Sequence, residues 1–492
     1  MEAVNKGMAK GAFWMIFMRV VTRGIGLVST VILVRLLMPA DFGLVAMAMT
    51  IIAAFELMGA FSLDVVLIQN RDAERSHYDT AWTFGVIAAA LQALILFSIA
   101  HLVARFYNDP RLTNVVFLLA MGVLIQGFEN IGVVAFRKDM EFHKDFKFQV
   151  TKKLFSFAVT MVLALWLRNY WALVGGTLVS RFMGVAFSYA AHPYRPKFSL
   201  AVRGELFHFS KWLFINNLLM FANDQSANFI LGRLGGPHAL GLYTVASEIS
   251  NLPTTDLVAP INRAIFPGYA KMAHDLSMLR QGFINVISTI AIAAFPVCAG
   301  IVLLAEPLVH VMLGGKWLEA IPLIQILSIA GLTQALQTNK SSIYLALGRP
   351  GILTLVYALQ FSGLLPALIF GSMENGVMGA AEGTLFVCSV LMPFNYAILF
   401  KIMKLPVSQF LAILWRPVVS TIVMGLALKI GLRFAPSGNT FLIYFSQLIF
   451  GTIIGSITYA GSIVFFWAIA GRPQGIEELV LRKILGRIKS FS

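Results

Sequence analysis

Long apolar runs alternate with short polar connections along nearly the whole chain. A helix needs about 20 apolar residues to cross the hydrocarbon core of a bilayer, and the chain contains fourteen runs of about that length. The predicted spans are residues 12–37, 41–64, 80–104, 112–135, 149–168, 170–191, 209–232, 239–266, 282–304, 318–345, 352–371, 376–400, 409–433 and 441–469. This pattern predicts an all-α integral membrane protein with about fourteen transmembrane helices.

The composition supports a membrane protein and excludes the soluble classes. Hydrophobic residues make up 58% of the 492 residues and charged residues 12%, whereas a soluble domain carries roughly 25% charged residues. Mean hydropathy is +0.79. The two cysteines lie inside apolar runs, so they indicate neither a disulfide framework nor a metal cluster.

The formal net charge of +15 raises the question of a nucleic-acid partner, and the placement of the charges answers it. Lys and Arg residues are retained on the cytoplasmic side of a membrane protein. If the N-terminus is cytoplasmic, 24 of the 38 basic residues fall in cytoplasmic segments, 6 in the opposite loops and 8 within spans. We therefore predict that both termini are cytoplasmic, and we expect no nucleic-acid partner.

One motif occurs twice, at an offset of 198 residues. The sequence LVRLLMPADFGLVAMA at residues 33–48 resembles LGRLGGPHALGLYTVA at residues 231–246. The identities include an Arg, a Pro and a Gly in each copy: Arg35 and Arg233, Pro39 and Pro237, Gly43 and Gly241. Shared hydrophobicity alone would not match these residue types, so the repeat indicates an internal duplication.

The duplication predicts the domain organisation. Six spans separate the copies, so both copies cross the membrane in the same direction. We predict two parallel six-helix lobes, residues 1–200 with helices 1–6 and residues 201–404 with helices 7–12. Residues 405–492 add helices 13 and 14 and a basic cytoplasmic tail. Transporters built from such repeats bind their substrate between the repeats and work by alternating access.

Four segments resemble a known family. They are RLLMPADFG at residues 35–43, FELMGAFSLDVVLIQN at 55–70, the basic stretch at 136–148 and WALVGGTLVSR at 171–181. These segments look like bacterial polysaccharide exporters of the colanic-acid-exporter and lipopolysaccharide-biosynthesis type. That type belongs to the multidrug/oligosaccharidyl-lipid/polysaccharide (MOP) superfamily.

The resemblance implies a two-lobe flippase with an electropositive cavity in a bacterial inner membrane. Its substrate would be an undecaprenyl-pyrophosphate-linked repeat unit, moved to the periplasmic leaflet for exopolysaccharide, capsule or lipopolysaccharide synthesis. Implied partners are this lipid-linked oligosaccharide, membrane lipids and the polysaccharide polymerase and export machinery. The alternative is an ion-coupled multidrug exporter of the same superfamily.

Polar residues inside the spans are the candidate site residues, because an ionisable side chain in a bilayer costs several kcal/mol unless it meets a partner or a wet cavity. Several lie at helical spacing on one face of spans 1, 7, 8 and 10. Guanidinium and ammonium groups suit a diphosphate. The candidate cavity residues are Arg19, Arg23, Arg181, Arg263, Lys340, Asn217, Asn228, Asn251 and Gln337.

Other interpretations of these residues remain open. Arg19 can instead extend to the cytoplasmic headgroups, and Arg181 and Arg263 can instead pair with Glu129 and Asp256 as buried struts. Prolines 253 and 260 predict kinks in span 8. Buried carboxylates can couple transport to H⁺ or Na⁺; the candidates are Glu56, Glu129, Asp224, Glu248 and Glu382. We expect no other cofactor and no metal site.

No enzyme motif is present. The eight histidines have no metal-ligand spacing, and the sequence contains neither a P-loop nor a G-x-S-x-G elbow. A membrane glycosyltransferase or polymerase is the enzyme alternative, and it would need a long loop or an extramembrane domain. The longest connection has about twenty residues, too few for a domain. The chain is therefore predicted not to be an enzyme.

Overall fold

The structure is a computed structural model that describes residues 2–59, 67–68, 74–201, 211–436 and 438–472. The side chains of residues 2–12, 58–59, 211–216 and 263 are outside this description. So is the predicted basic tail beyond residue 472. The chain divides into two compact units, Met1–Gly241 and Leu242–Ser492. The predicted lobe boundaries at 200/201 and 404/405 stay predictions.

The first unit is built from helices that match the first seven predicted spans. They are α1 Glu2–Leu36, α2 Pro39–Gly59, α3 Arg75–Tyr107, α4 Arg111–Gly127, α5 Ala135–Lys138, α6 Phe142–Leu167, α7 Trp171–Ala191 and α8 Lys211–Leu234. The helix α9, Gly236–Ser250, begins in this unit and ends in the second. Large apolar side chains face outward, for example Trp166, which is 80% exposed. Such side chains are stable on a helix surface when lipid surrounds it.

The fourth predicted span, residues 112–135, is broken rather than continuous. α4 ends at Gly127, and the helical segment Ile131–Lys138 continues at an angle of 68°. Asn130 stabilises the break: its Oδ1 accepts a hydrogen bond from the Gly132 N–H (2.9 Å), and its Nδ2 donates to the Tyr194 carbonyl (2.7 Å). A buried amide with these partners satisfies backbone groups that the break exposes.

The segment after α7 is tied to the start of α3. The Tyr194 hydroxyl donates to Asp79 Oδ1 (2.6 Å), and the Lys197 N–H donates to the same oxygen (2.8 Å). The Ser199 N–H donates to Thr83 Oγ1 (3.0 Å). These bonds hold residues 194–199 against α3, where sequence patterns predicted only a cytoplasmic connection.

The second unit contains the remaining predicted spans. Its helices are α10 Ala259–Met272, α11 Leu276–Leu303, α12 Ala305–Met312, α13 Ala320–Gln337, α14 Asn339–Ala346, α15 Pro350–Met403, α16 Val407–Gly431 and α17 Phe441–Ile469. A core of apolar side chains from α10, α11, α13, α14, α15 and α16 packs at its centre, with Phe283, Tyr344 and Tyr396 among the largest.

Span 8 changes its helix type where the prolines lie. A π-helical segment, Pro253–Val258, follows α9 and leads into α10, whose first turn contains Pro260. Proline removes a backbone donor and disturbs the hydrogen-bond ladder of an α-helix, and single π-turns occur often at functional sites. The predicted distortion of span 8 is confirmed at Pro253.

The long helix α15 combines predicted spans 11 and 12. Its backbone leaves the helical region at Asn375 (φ −134°, ψ 26°) and Gly376 (φ 55°, ψ −136°). A positive φ with this ψ is accessible to glycine at little strain, so Gly376 marks the turn between two spans.

Among the described residues, ten helices are long and apolar enough to cross a membrane, or eleven if the bent pair of α4 and Ile131–Lys138 is one span. α15 counts once in this number although it contains the Asn375–Gly376 turn. α8 is not among them because its polar residues lower its hydropathy, and α9 is not because it has only 15 residues. The count of fourteen spans therefore stays a prediction.

Candidate functional site

A buried cation lies in the second unit, where α13 meets α14. Lys340 is 8% exposed, and its Nζ donates a hydrogen bond to Gln337 Oε1 (3.2 Å). The two residues are three apart, as the predicted polar face of span 10 requires. The ammonium group has no carboxylate partner among the residues that the structure describes.

A lysine in this position is energetically unusual. An ammonium has three donors and no acceptor, and within the described part of the chain only one of the three meets an acceptor, a neutral amide oxygen. Burying a charge without an opposite charge is unfavourable. An ionisable residue inside a membrane span that carries this energetic cost is by default a candidate functional-site residue. The chemistry at Lys340 favours an anionic ligand.

Amides and hydroxyls extend this polar region toward α10. Asn262 donates to Thr338 Oγ1 (2.9 Å), and Asn339 donates to Asn262 Oδ1 (2.8 Å). The hydroxyl of Tyr269 donates to Asn339 Oδ1 (2.9 Å). In the π-helical segment, Thr254 donates to the carbonyl of Gly331 (3.2 Å). These contacts fix the π-segment and α10 against the same two helices that carry Gln337 and Lys340.

Two cations within the spans of the first unit are paired with carboxylates. Arg181 on α7 is 8% exposed, and its Nη2 lies 2.7 Å from Glu56 Oε1 on α2. Lys152 on α6 lies 3.5 Å from Glu129 Oε2. Of the two interpretations left open for Arg181, the ion pair is present, but with Glu56 of α2 rather than with Glu129, which lies beside Lys152 of α6.

We expect that neutralising one member of the Glu56–Arg181 pair destabilises the protein more than neutralising both. Glu56→Gln leaves the buried guanidinium without a counter-charge. Breaking a fully buried pair costs about 3–5 kcal/mol; because the Glu56 side chain is 38% exposed, we expect about 2 kcal/mol here. Melting temperatures of Glu56→Gln, Arg181→Gln and the double variant measure this. A double variant as unstable as the sum of the two single variants would contradict the pairing.

The other predicted basic residues are dispersed. Arg19 and Arg23 share one face of α1, and both are half-buried. α1 packs on α6, where Trp14 and Phe17 contact the ring of Phe146. The side chain of Arg263 lies outside the described residues, so its predicted pairing with Asp256 stays a prediction.

Predicted residues of spans 7 and 8 have different environments. Asn228 donates to Thr50 Oγ1 (3.2 Å) and to Gln225 Oε1 (2.7 Å), so it joins α8 to α2 within the first unit. Asp224 is exposed, whereas Asn217 is half-buried. In the remaining predicted positions, Asn251 and Glu248 are half-buried and Glu382 is exposed. The structure brings Gln337 and Lys340 together, and Glu56 and Arg181, but it leaves the ion-coupling roles as predictions.

Three residues of these clusters were missed by the sequence patterns. Asn395 donates to Gln337 Oε1 (2.7 Å), Gln225 contacts Asn228, and Lys152 pairs with Glu129. The signal for Asn395 was present, because an amide within an apolar span needs a partner. Lys152 lies close to the predicted cytoplasmic boundary, where a lysine is ordinary.

The two copies of the repeated motif contact each other within the first unit. A Cβ atom added to Gly43 on α2 would overlap the carbonyl oxygen of Pro237, and one added to Gly241 on α9 would overlap the carbonyl oxygen of Pro39. The Cβ position at Gly43 also lies 2.8 Å from the Gly241 nitrogen. Backbones approach this closely only where both residues lack a side chain. The glycines of the motif are therefore required by this reciprocal contact.

An apolar cavity of about 510 Å³ lies in the second unit between α11, α16 and α17. Its wall is mostly aliphatic, with Ile292, Met424, Leu428 and Leu448 among the lining side chains. Tyr459 contributes a hydroxyl, which is already used as a donor to the carbonyl of Ile292 (2.9 Å). A cavity of this chemistry suits a hydrocarbon chain and offers few groups for a polar ligand.

Comparison with known proteins assigns the family. A family model described as a polysaccharide biosynthesis protein matches residues 32–322, more than half of the chain. The chain belongs to this polysaccharide biosynthesis protein family. Similar family relatives include the lipopolysaccharide biosynthesis protein WzxC of Escherichia coli (strain K12), 26% identical over 86% of this chain and 88% of WzxC. The succinoglycan biosynthesis transport protein ExoT of Rhizobium meliloti (strain 1021) is 24% identical over 92% of both chains.

Solved structures confirm the predicted superfamily fold. The lipid II flippase MurJ, in an inward closed conformation, gives a TM-score of 0.74 at 12% identity over 94% of this chain and 99% of MurJ. An inward-facing multidrug resistance transporter of the MATE family in the MOP superfamily gives 0.57 at 14% identity, over 77% and 94%. The chain is therefore a multi-pass membrane transport protein with the MOP fold.

Proposed function

We propose that the protein flips an undecaprenyl-pyrophosphate-linked oligosaccharide from the cytoplasmic to the periplasmic leaflet, by alternating access, for the synthesis of a surface polysaccharide. The observation that carries this proposal is Lys340: a buried cation with only neutral neighbours among the described residues. A diphosphate is the part of such a lipid that needs a cation.

The apolar cavity supports the lipid part of the proposed substrate. It lies in the second unit, as Lys340 does, and is lined mainly by aliphatic side chains. A polyprenyl chain can pack against such a surface by dispersion contacts, as it does against lipid tails, and needs no polar partners there. The names of the relatives, which refer to lipopolysaccharide and succinoglycan biosynthesis, support a substrate of the polysaccharide class.

The multidrug exporter is the second candidate, and the buried cation favours the flippase over it. An exporter of cationic drugs needs a carboxylate available to the drug. Glu56 and Glu129 are each paired with a cation of the protein, and Asp224 and Glu382 are exposed carboxylates. Lys340, by contrast, is buried and has no anionic partner in the described part of the chain. The buried uncompensated charge is thus positive, which favours an anionic substrate.

The proposal is tested by deleting the gene in the native bacterium and locating the glycolipid that accumulates. We expect a polyprenyl-pyrophosphate oligosaccharide, identified by mass spectrometry of extracted lipids, to accumulate while surface polysaccharide is lost. In spheroplasts it should resist a membrane-impermeant oxidant of sugars, because it stays in the cytoplasmic leaflet. Accumulation in the accessible leaflet, or unchanged glycolipids together with altered sensitivity to cationic drugs, would refute the flippase.

A further inference from the structure

Gln337 is held at both ends of its side-chain amide. Its Oε1 accepts hydrogen bonds from Lys340 Nζ (3.2 Å) and from Asn395 Nδ2 (2.7 Å). Its Nε2 donates to the carbonyls of Thr333 (3.2 Å) and Cys388 (3.4 Å). Every contact therefore pairs a donor with an acceptor, as an amide requires.

This set of partners permits one orientation of the Gln337 amide. A rotated amide would direct its NH₂ group at the ammonium of Lys340 and at the NH₂ group of Asn395, and its oxygen at two carbonyls. All four contacts would then be unfavourable. The shortest of the four bonds is the one from Asn395, so this residue helps to keep the Gln337 oxygen directed at Lys340.

The neutrality of Asn395 matters as much as its hydrogen bond. Asn395 is 5% exposed and lies on the second half of α15, whereas Gln337 and Lys340 lie on α13 and α14. An aspartate in place of Asn395 would put a carboxylate beside the Gln337 amide oxygen and near the Lys340 ammonium. Opposite charges in a poorly solvated site attract strongly, so the lysine would acquire an internal counter-ion.

We propose that Asn395 is a positioning residue for anion recognition: it fixes the Gln337 carbonyl against Lys340 while leaving the lysine charge uncompensated for a diphosphate ligand. This inference rests on the proposed function and identifies the chemistry that keeps its cation available. Gln337 restrains one N–H of the ammonium, and the other two donors stay available to the ligand. Asn395 acts through Gln337.

Tyr396 provides a matched control. It is the next residue on α15, it is 6% exposed, and its hydroxyl donates to the carbonyl of Leu336 (2.9 Å). Tyr396→Phe removes one buried hydrogen bond between the same two helices, as Asn395→Leu does, but the hydroxyl it removes is bonded to Leu336 rather than to Gln337 or Lys340. A purely structural role of Asn395 predicts that the two variants behave alike.

The test measures binding of farnesyl pyrophosphate to the purified full-length protein in nanodiscs by calorimetry, with farnesol as the uncharged control. For Asn395→Asp at neutral pH we expect an affinity about tenfold or more below that of the unsubstituted protein, equivalent to about 1.4 kcal/mol. Acidification should restore binding, because the introduced carboxyl group is neutral once it is protonated and can then donate to Gln337. Asn395→Leu should bind several-fold more weakly at every pH, and Tyr396→Phe should bind normally.

The outcomes separate this inference from the proposed function. If Lys340→Gln binds farnesyl pyrophosphate as tightly as the unsubstituted protein, the diphosphate site itself is wrong. If Lys340→Gln loses binding but Asn395→Asp and Asn395→Leu match Tyr396→Phe, only the role of Asn395 is wrong. If Asn395→Asp does not fold, the affinities of Asn395→Leu and Tyr396→Phe for farnesyl pyrophosphate are compared instead. Equal affinities overturn the inference. Weaker binding by Asn395→Leu alone supports it.

Discussion

Gly43→Ala is expected to destabilise the protein by about 3 kcal/mol, the upper end of the range for overpacking a packed core. The added methyl group would overlap the carbonyl oxygen of Pro237, and a backbone oxygen cannot avoid it by changing rotamer. The helices α2 and α9 would have to separate. Size-exclusion chromatography and thermal unfolding of the detergent-solubilised protein measure the loss.

Gly85→Ala is the control for this substitution. Gly85 lies on α3, and a Cβ atom there would meet nothing within 4 Å. Alanine favours a helix over glycine by about 0.5–1 kcal/mol, so this variant should be neutral or slightly stabilised. If Gly43→Ala melts at the same temperature as Gly85→Ala, the close contact of the two motifs is wrong.

The reciprocal geometry also predicts non-additivity between the two glycines. Gly241→Ala should resemble Gly43→Ala, because its Cβ would overlap the Pro39 carbonyl. Once one methyl group has separated α2 from α9, the second has little further effect, so the double variant should be clearly less unstable than the sum of the single effects. If the loss of stability in the double variant equals the sum of the two single losses, the two glycines do not contact each other as described.

Lys340→Gln is expected to abolish export while leaving the amount of folded protein unchanged or raised. The substitution removes a buried charge that has no anionic partner among the described residues, so the folded state loses an unfavourable interaction. The diphosphate loses its cation, and a charge-assisted hydrogen bond is about twice as strong as a neutral one. Export should fall by more than about tenfold, which corresponds to about 1.4 kcal/mol.

Export is measured as restoration of surface polysaccharide in the deletion strain, normalised to membrane-inserted protein. Lys429→Gln is the matched control, since Lys429 is an exposed cation on α16 in the same unit, and it should export normally. Functional residues commonly reduce stability, so a higher melting temperature of Lys340→Gln together with lost export would fit that pattern. If Lys340→Gln is expressed equally and exports as well as the unsubstituted protein, Lys340 has no role in transport.

Elements of the fold were predictable where a local pattern determines them. The apolar runs correspond to helices, the prolines of span 8 mark the π-helical segment at Pro253–Val258, and the spacing of Gln337 and Lys340 places them in contact. Each of these follows from the geometry of one helix or from the backbone of one residue type. The duplicated motif was visible as well, because its Gly and Pro residues are rare enough to be recognised.

Contacts between distant segments were not predictable in the same way. Glu129 and Glu56 were both candidate carboxylates. Arg181 pairs with Glu56, which lies 125 residues away in the chain. The Asn130 side chain likewise bonds the carbonyl of Tyr194, which lies 64 residues further along the chain. Asn395 was missed because it is a single amide in an apolar run, and only the packing of α15 against α13 brings it to Gln337.

The most direct test of the account is transbilayer movement of a defined lipid by the purified protein. Proteoliposomes are prepared with a fluorescent polyprenyl-pyrophosphate saccharide, and a membrane-impermeant reductant quenches the outer leaflet. We predict that the unsubstituted protein moves the labelled lipid from the inner to the outer leaflet, where the reductant quenches it. With Lys340→Gln, the lipid of the inner leaflet should stay fluorescent. The account would be contradicted if the inner-leaflet lipid were as protected from the reductant with the unsubstituted protein as in empty liposomes. It would also be contradicted if Lys340→Gln exposed this lipid as fully as the unsubstituted protein does.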